Sequence, residues 1–489
     1  MSSAETDFNP GTIEIMKAEL TSYDGKTVRD ISVNYIYSFN IDQSMESPLY
    51  TGYLQIIDSS NILEGMPIRG EETLTLVIQG MDLRTEVILN AVISEVSEIN
   101  PRPSTNVVEY KLNFISKESF KANSRKILTS FKLTPSEMAL KIFEHSYTKL
   151  KPPTDFDPRI TDKIPLPFQG KSFDFIKEDK GQDEPDRRLV MQPAQNLTTL
   201  VIPDLNPADA MFFTAARAYA PKTSSQTFRF FETIDGYYYC TDEFLIKRAV
   251  NLENKNPDNK IDLFYAPVVD LDGRNAEAQF NRIEDLQIIS KGINSSEDIV
   301  SGAYVNKVSK IDLVGKRITQ SHFSFDKSTY TDMNGKPRDL KDNPHTEQFR
   351  KDMFTKENAR NFVVYKDYDD MADAGSALAA DRQLDAIVHN RVAYYHHLHN
   401  TAVLAKLKGR IDLRPGMIIN LEIKALDFVD SVVSINETLA GRYLVKSTNN
   451  YMKEGVLSTT LGLVKFDHSG QPNDPTESID MPTGVTMNV

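Results

Sequence analysis

Strict alternation of apolar and polar residues constrains this chain more than any other feature. In residues 32–41, SVNYIYSFNI, the odd positions are Val33, Tyr35, Tyr37, Phe39 and Ile41, and the even ones Ser32, Asn34, Ile36, Ser38 and Asn40. A period of two places each set on one face of a strand, so one face is buried and the other is wet. Residues 73–79 repeat the pattern, with Leu74, Leu76 and Ile78 against Thr73, Thr75 and Gln79. Residues 108–114 repeat it again, with Val108, Tyr110, Leu112 and Phe114 against Glu109, Lys111 and Asn113. Further β-rich runs lie at 12–20, 50–58 and 86–96. The turn signals Asp24-Gly25, Ile68-Arg69-Gly70 and Asn100-Pro101-Arg102-Pro103 separate them. About six antiparallel strands with polar outer positions predict a barrel or a sandwich.

The pattern then changes. Thr134, Pro135 and Glu137 open residues 134–147 with capping-box spacing and a proline at the first helical position. Residues 151–193 are rich in Pro, Asp and Lys and read as loops with little core. A second helix is expected at 207–219, started by Pro207 after Asn206. Phe228–Glu232 and Tyr237–Cys240, joined by Ile234-Asp235-Gly236, read as a hairpin, which makes a compact α+β module. The polar residues 251–281 read as an inter-domain connection.

Strand-like runs resume at 303–313 and 317–326, and the charged stretch 327–358 reads as loop. A long helix is expected near 370–397, carrying Leu378, Leu384, Ile387, Val392 and Tyr395 at helical spacing. Strands return at 401–408, 417–423, 441–448 and 455–465. The segment from Asp467 to Val489 holds no Lys or Arg and is expected to be mobile or to dock on a partner.

The fold class expected is mainly β with an α+β insertion. It comprises two antiparallel β-barrels, the second with the long helix, plus the smaller module. The corresponding domains are 1–120, 121–280 and 281–466, followed by a flexible acidic tail at 467–489. A length of 489 residues agrees, since one core rarely serves a chain that long.

Charge and cysteine usage narrow the function. There are 56 Lys and Arg against 69 Asp and Glu, a net charge of −13. That balance argues against a general nucleic-acid coat or a membrane-surface binder, both of which need a positive field. It leaves room for a wall that repels DNA sliding past it. With Cys240 alone, neither an intrachain disulfide nor a thiolate cluster forms. The N-terminal residues lack the basic start and apolar run of a secretory signal, and no stretch reaches the roughly 18–20 apolar residues of a membrane helix. The expectation is a soluble protein made in the cytosol.

The chemistry-bearing candidates each have a plainer reading. His396 and His399 lie three apart and share a helix face, but no Glu-x-x-His framework accompanies them. Histidines also suit a helix C-terminus. Cys240 lies in the expected hairpin and reads as a buried small apolar residue. Asp367, Asp369, Asp370 and Asp373 precede the long helix without the glycine and terminal Glu of a calcium loop, and read as helix caps. There is no Gly-x-Ser-x-Gly elbow and no phosphate-binding glycine loop. Paired carboxylates for glycoside hydrolysis cannot be picked from 69 acids, and the chain has no tryptophan to hold a sugar. The expectation is therefore no catalytic, cofactor or metal residues and no enzyme. Gly70 and Gly416 stand in turns that often need a positive φ.

Several segments together resemble the central baseplate hub protein of contractile-tailed bacteriophages, the T-even-type hub family. In the first barrel the carriers are Ile62-Leu63-Glu64, then Pro67-Ile68-Arg69-Gly70-Glu71-Glu72, then the strand Leu74–Ile78. In the middle they are Asn206-Pro207-Ala208-Asp209-Ala210, Phe228–Glu232 and Asp235-Gly236-Tyr237-Tyr238. In the last part Leu413-Arg414-Pro415-Gly416-Met417 precedes Ala440-Gly441-Arg442-Tyr443-Leu444-Val445. The family is related to the hub part of type VI secretion spike proteins.

The resemblance implies tube-type barrels, two per chain. A homotrimer would then present six barrels in a ring, adapting a sixfold tail tube to a threefold spike. It also implies a DNA channel with an acidic or neutral lumen, a module facing outward, and a place in the virion. The partners implied are a spike on a separate chain, tube or tube-initiator proteins, and baseplate wedge proteins, with no specific DNA binding and no membrane insertion. A related particle, such as a tailocin, would need the same parts. The competing expectation is a tail-associated cell-wall hydrolase.

Overall fold

The computed structural model describes residues 11–31, 35–59, 62–66, 68–80, 86–102, 107–147, 188–194, 196–220, 226–255, 257–265, 280–291, 300–303, 305–313, 315–324, 360–365, 387–389, 391–392, 395, 401–426, 433–435 and 439–466. The first barrel holds strands β1 (Ile13–Thr21), β2 (Val28–Asp30), β3 (Ile36–Ser44) and β4 (Thr51–Asp58), the short helix α1 (Ile62–Gly65), then β5 (Thr73–Gly80), β6 (Glu86–Arg102) and β7 (Val107–Ser116). They pair antiparallel in the order β3-β4-β7-β6-β5-β1-β2. The alternation read from the sequence holds in β5 and β7, where Leu74, Leu76, Ile78, Tyr110, Leu112 and Phe114 are all buried. In β3 Ser38 and Asn40 are buried together with Phe39 and Ile41, because Gln55, Asp42 and Asn449 side chains cover them on the outer face.

The module follows with α2 (Lys117–Asn123), β8 (Ile127–Leu133), α3 (Pro135–Ser146), β9 (Arg188–Met191), β10 (Thr198–Leu205), α4 (Pro207–Ala215), β11 (Phe228–Thr233), β12 (Gly236–Thr241) and α5 (Asp242–Lys255). The expected capping box is present. Glu137 N–H donates to Thr134 Oγ1 at 3.4 Å, and Thr134 N–H donates to Glu137 Oε2 at 2.9 Å. The expected hairpin forms as β11–β12. Two expectations are corrected. The reading of 151–193 as loop misses β9, which pairs parallel with β12 and buries Leu189 and Met191; four residues are too few to show a period. The reading of 251–281 as a connection also fails. There α5 runs on to Lys255, and β13 (Asp262–Tyr265) is a barrel strand with Leu263 buried.

The second barrel contains β13, β14 (Asp285–Lys291), β18 (Thr401–Lys408), β19 (Ile418–Leu426), β21 (Gly441–Lys453) and β22 (Val456–Lys465). β15 (Val305–Asp312), β16 (Arg317–Ser324) and β17 (Arg360–Tyr365) form a separate three-stranded sheet, and β20 (Val433–Ile435) extends β19. The barrel order is β14-β18-β22-β21-β19-β13. It closes where Phe264 N–H donates to Asn281 O at 3.0 Å and Ile283 N–H donates to Phe264 O at 2.9 Å, just ahead of β14. Of the long helix expected at 370–397, the described residues 387–389, 391–392 and 395 are helical, and the rest lies outside the described residues. The expectations at 327–358 and 467–489 lie wholly outside them.

The hairpin β21–β22 serves both barrels. The first part of β21 pairs with β19, from Leu421↔Gly441 to Ile418↔Leu444. After an irregularity at Val445/Ser447, its second part pairs with β3, from Ser447↔Ser44 to Lys453↔Ser38. The hairpin tip reaches β1 on its other side. Ile13 N–H donates to Gly455 O at 3.2 Å, and Leu457 N–H donates to Gly11 O at 2.7 Å. Met452 and Leu457 thus belong to the core of the first barrel. Residues more than 400 positions apart complete that barrel.

Candidate functional surface

The shared hairpin joins the two barrel walls into one sheet of fourteen strands. Its inner side is the two apolar cores. Its outer side is mostly polar across β14, β18, β22, β21, β3, β4, β7 and β6, interrupted by Leu404 on β18. Register fixes which residues meet there. Asn449 lies opposite Asp42, Tyr451 opposite Asn40, and Thr460 opposite both Asn449 and Lys406. Tyr53 lies opposite Asn40 on one side and Asn113 on the other.

Side-chain hydrogen bonds run across the strands of this face. Asn449 Nδ2 donates to Asn40 Oδ1 at 2.8 Å and to Asp42 Oδ1 at 2.5 Å. Asn40 Nδ2 donates to Asp42 Oδ2 at 2.5 Å. Ser38 Oγ donates to Gln55 Oε1 at 2.8 Å, and Gln55 Nε2 passes the chain on to Glu109 at 2.5 Å. Asn113 donates to Ser97 at 2.9 Å. Such cross-strand pairs stiffen a sheet by tenths of a kcal/mol each, up to about 1 kcal/mol.

The charges on the face are matched. Lys111 Nζ lies 2.7 Å from Glu98, and Lys408 Nζ lies 2.8 Å from Glu284. The hydrogen bond to Glu98 holds the Lys111 ammonium above its ordinary pKa, so it is charged at neutral pH. Lys453 lies over the Tyr37 ring at 5.3 Å. On the first barrel's half, Lys111 and Lys453 stand among Asp42, Glu95, Glu98 and Glu109. A shallow pocket of about 230 Å³ opens where the barrels meet, lined among others by Asp42, Thr51, Thr448, Asn449 and Thr460.

The module is bolted to the barrels by buried polar contacts. Ser116 and Ser119 hydroxyls donate to the buried Glu232 carboxylate at 2.8 and 2.9 Å. Ile234 N–H donates to Gln43 Oε1 at 2.9 Å, from hairpin tip to β3. Arg414 lies 3.1 Å from Asp235, and Arg442 is paired with Glu253 on α5. The Arg414-Pro415-Gly416 turn therefore seats a module contact. Gly416 has φ +89°, and a Cβ there would meet Leu245 at 3.5 Å. In the other motif turn, the N–H groups of Arg69, Gly70 and Glu71 all donate to the buried Glu72 carboxylate, and Gly70 has φ +95°.

Of the chemistry-bearing candidates, Cys240 lies among the described residues. Cys240 is wholly buried, and burial pushes its thiol up, away from reactivity. His396, His399 and the aspartates 367, 369, 370 and 373 lie outside the described residues. Among the described residues no group of three His, Cys, Asp or Glu is placed to hold a metal. No described helix is long and apolar enough to cross a membrane. Sequence reasoning missed Asn40, Asp42, Gln43 and Asn449 as a group. Their one local signal is polar residues persisting at both parities along β3, which marks a strand covered on two sides.

No family model matches the sequence, and no curated protein is similar to it. Solved structures match over most of the chain at low similarity. One is the tail protein of Neisseria meningitidis MC58, at 11% identity over 93% of this chain and 98% of that one, with a TM-score of 0.45. Another is the 43 kDa tail protein of prophage MuSo2 from Shewanella oneidensis, at 8% identity over 93% and 100%, with a TM-score of 0.43. A third is a type VI secretion component of E. coli, at 8% identity over 96% and 80%, with a TM-score of 0.37.

Proposed function

We propose that the chain is a structural hub of a contractile tail baseplate. The observation that carries the reading is two closed barrels side by side in one chain, welded by one hairpin, with one polar, charge-matched sheet face running across both. Three such chains arranged about an axis place six barrel walls in a ring by closed cyclic symmetry. That ring meets a sixfold tube on one side and a threefold spike, carried on a separate chain, on the other. The polar face lines the channel. Lys111, Lys408 and Lys453 on it are held by Glu98, Glu284 and the Tyr37 ring, so DNA phosphates find little to bind there while passing. Strands β1–β7 with the hairpin β21–β22 make one ring barrel, and β13, β14, β18 and β19 with the same hairpin make the other. Residues 117–255 face outward towards wedge proteins. No step of catalysis is assigned, and the chain works in the virion as a passive adapter.

The test is electron microscopy of the purified chain over a range of concentrations, alone and with a trimeric spike. Threefold rings with an open centre and six barrel densities are expected. Solid monomers under all conditions, together with turnover of peptidoglycan, would sink the hub reading and favour a wall hydrolase.

A further inference from the structure

An open sheet edge is a template for another strand, and folds blunt their edges by shortness, irregularity, proline or charge. β2, which ends the large sheet, has three residues, and β14 at the other end breaks register between Ile288 and Ser290. β17 has no such protection. It is an edge of the sheet β16-β15-β17, and among the described residues it pairs with β15 alone. Its register runs unbroken from Asn306↔Arg360 to Ile311↔Tyr365, with no proline and no acid in the strand. Val363 is 57% exposed and Tyr365 65%. The opposite edge, β16, carries Arg317, Thr319, Gln320 and His322 instead.

The two faces of this sheet are unlike. One is covered by the long helix, whose buried His389 bonds Asn306 and places Nε2 3.1 Å from Ser321 Oγ. On the other, register sets Ile318, Ile311 and Tyr365 directly opposite one another, with Val363 beside Tyr365 and Lys307 further along the same side. Ile318 is 64% exposed. A sheet face left to water turns polar, and this one does not around Ile311. The sheet is also positive where it is open. Asp312 is the only acid described in it, and it lies on the covered face, 3.2 Å from Arg317. Among the described residues neither Lys307 nor Arg360 has an acid partner. Arg360 rests on the Phe362 ring at 5.1 Å.

Charge and size together select the occupant. A second copy docked edge to edge would bring two positive sheets together. Six strand residues are also far short of the roughly 20–30 residues a side of an interface between folded proteins. They suffice for one extended segment, which gains affinity from main-chain hydrogen bonds and specificity from alternate side chains. We infer that β17 is the docking edge for an extended acidic segment of another protein, added as a fourth strand with apolar residues beside Val363 and Tyr365 and a carboxylate opposite Asn361. That carboxylate would stand two strand spacings, about 10 Å, from the Lys307 backbone and within reach of its side chain. The inference stands whether or not the hub reading holds.

The test uses the full chain and a synthetic peptide, Glu-Thr-Val-Thr-Val-Thr-Glu, whose acids and valines share one face in either strand direction. Binding is read by saturation-transfer NMR on the peptide, and the same peptide with lysine at both ends is the comparison. The acidic peptide should bind at least about tenfold more tightly than the basic one, and Lys307→Glu should remove that preference. Amides of residues 360–365 that face away from β15 should exchange about tenfold more slowly with the acidic peptide present, and those of β16 should not change. Methylating the peptide's backbone nitrogens should abolish both effects, because an added strand needs its N–H groups. Absent binding of the acidic peptide, equal binding of the two peptides, or protection in β16 rather than β17 overturns the inference. Protection of every amide of 360–365 in the free chain would mean that the edge is already covered, and overturns it too. So does a concentration-dependent dimer of the free chain that Tyr365→Glu abolishes, since the occupant would then be a second copy.

Discussion

Leu457→Ala tests how the first barrel is closed. Leu457 is fully buried, and although it lies near the end of the chain its neighbours are those of the first barrel: Ile13, Phe39 and Met452 share its cluster. Truncating a fully buried leucine removes transfer free energy and leaves a cavity, together about 3 kcal/mol within a range of 2–5. That is a large part of the 5–15 kcal/mol that holds a typical domain together. It corresponds to about a hundredfold in the opening equilibrium. Hydrogen exchange read peptide by peptide is the assay. Protection should fall about a hundredfold in β1 and β3, which flank the hairpin tip. Leu421→Ala, at the core of the second barrel, should leave β1 and β3 much less affected. If Leu457→Ala loosened only residues 441–465 and left residues 13–44 as protected as before, the hairpin would be an ornament on a barrel that closes by itself, and the reasoning would be wrong.

Other expectations follow from single contacts. Gly416→Val forces a β-branched residue to φ +89° and presses Leu245 and Phe231, so thermal stability should drop by about 1–3 kcal/mol and particle assembly should fail. Intact assembly of Gly416→Val would contradict the role given to this turn. Thr134→Ala removes one side of the α3 capping box and should cost about 1 kcal/mol in denaturant unfolding. Burial raises the Glu144 carboxyl above its ordinary value, so the fold favours its neutral form. The penalty is absent below the unfolded pKa and grows as pH rises through the raised folded one. Glu144→Gln should therefore stabilise at pH 7 and be neutral at pH 3, in paired melting curves. Changing His396 and His399 together to Gln should leave both assembly and metal content as in the parent chain, by microscopy and elemental analysis.

How much of this could be read from the sequence depends on how local each signal is. β5 and β7 show themselves because one face is core and the other water, so alternation maps onto burial residue by residue. β3 is harder to read because long polar side chains from β4 and β21 cover its outer face, so Ser38 and Asn40 are buried as well as Phe39. β9 is four residues long and gains its place from parallel pairing with β12, which no local pattern encodes. The α3 start was legible in full, since a capping box is three residues of self-contained chemistry.

The surface on which the functional proposal rests belongs to the non-local class. The Asn40–Asp42–Asn449 cluster joins residues more than 400 positions apart. Composition gives a net charge of −13 but cannot say which charges share a face. Register can: the pairing of β21 with β3 brings Lys453 beside Tyr37 and Asn449 onto Asp42, and the pairing of β6 with β7 brings Glu98 onto Lys111. A one-residue slip at either pairing would send those side chains into the barrel cores. The apolar faces of β21 and β7 forbid that slip. The same buried residues that close the barrels therefore also compose the polar wall, and a variant that loosens Leu457 should disturb both together.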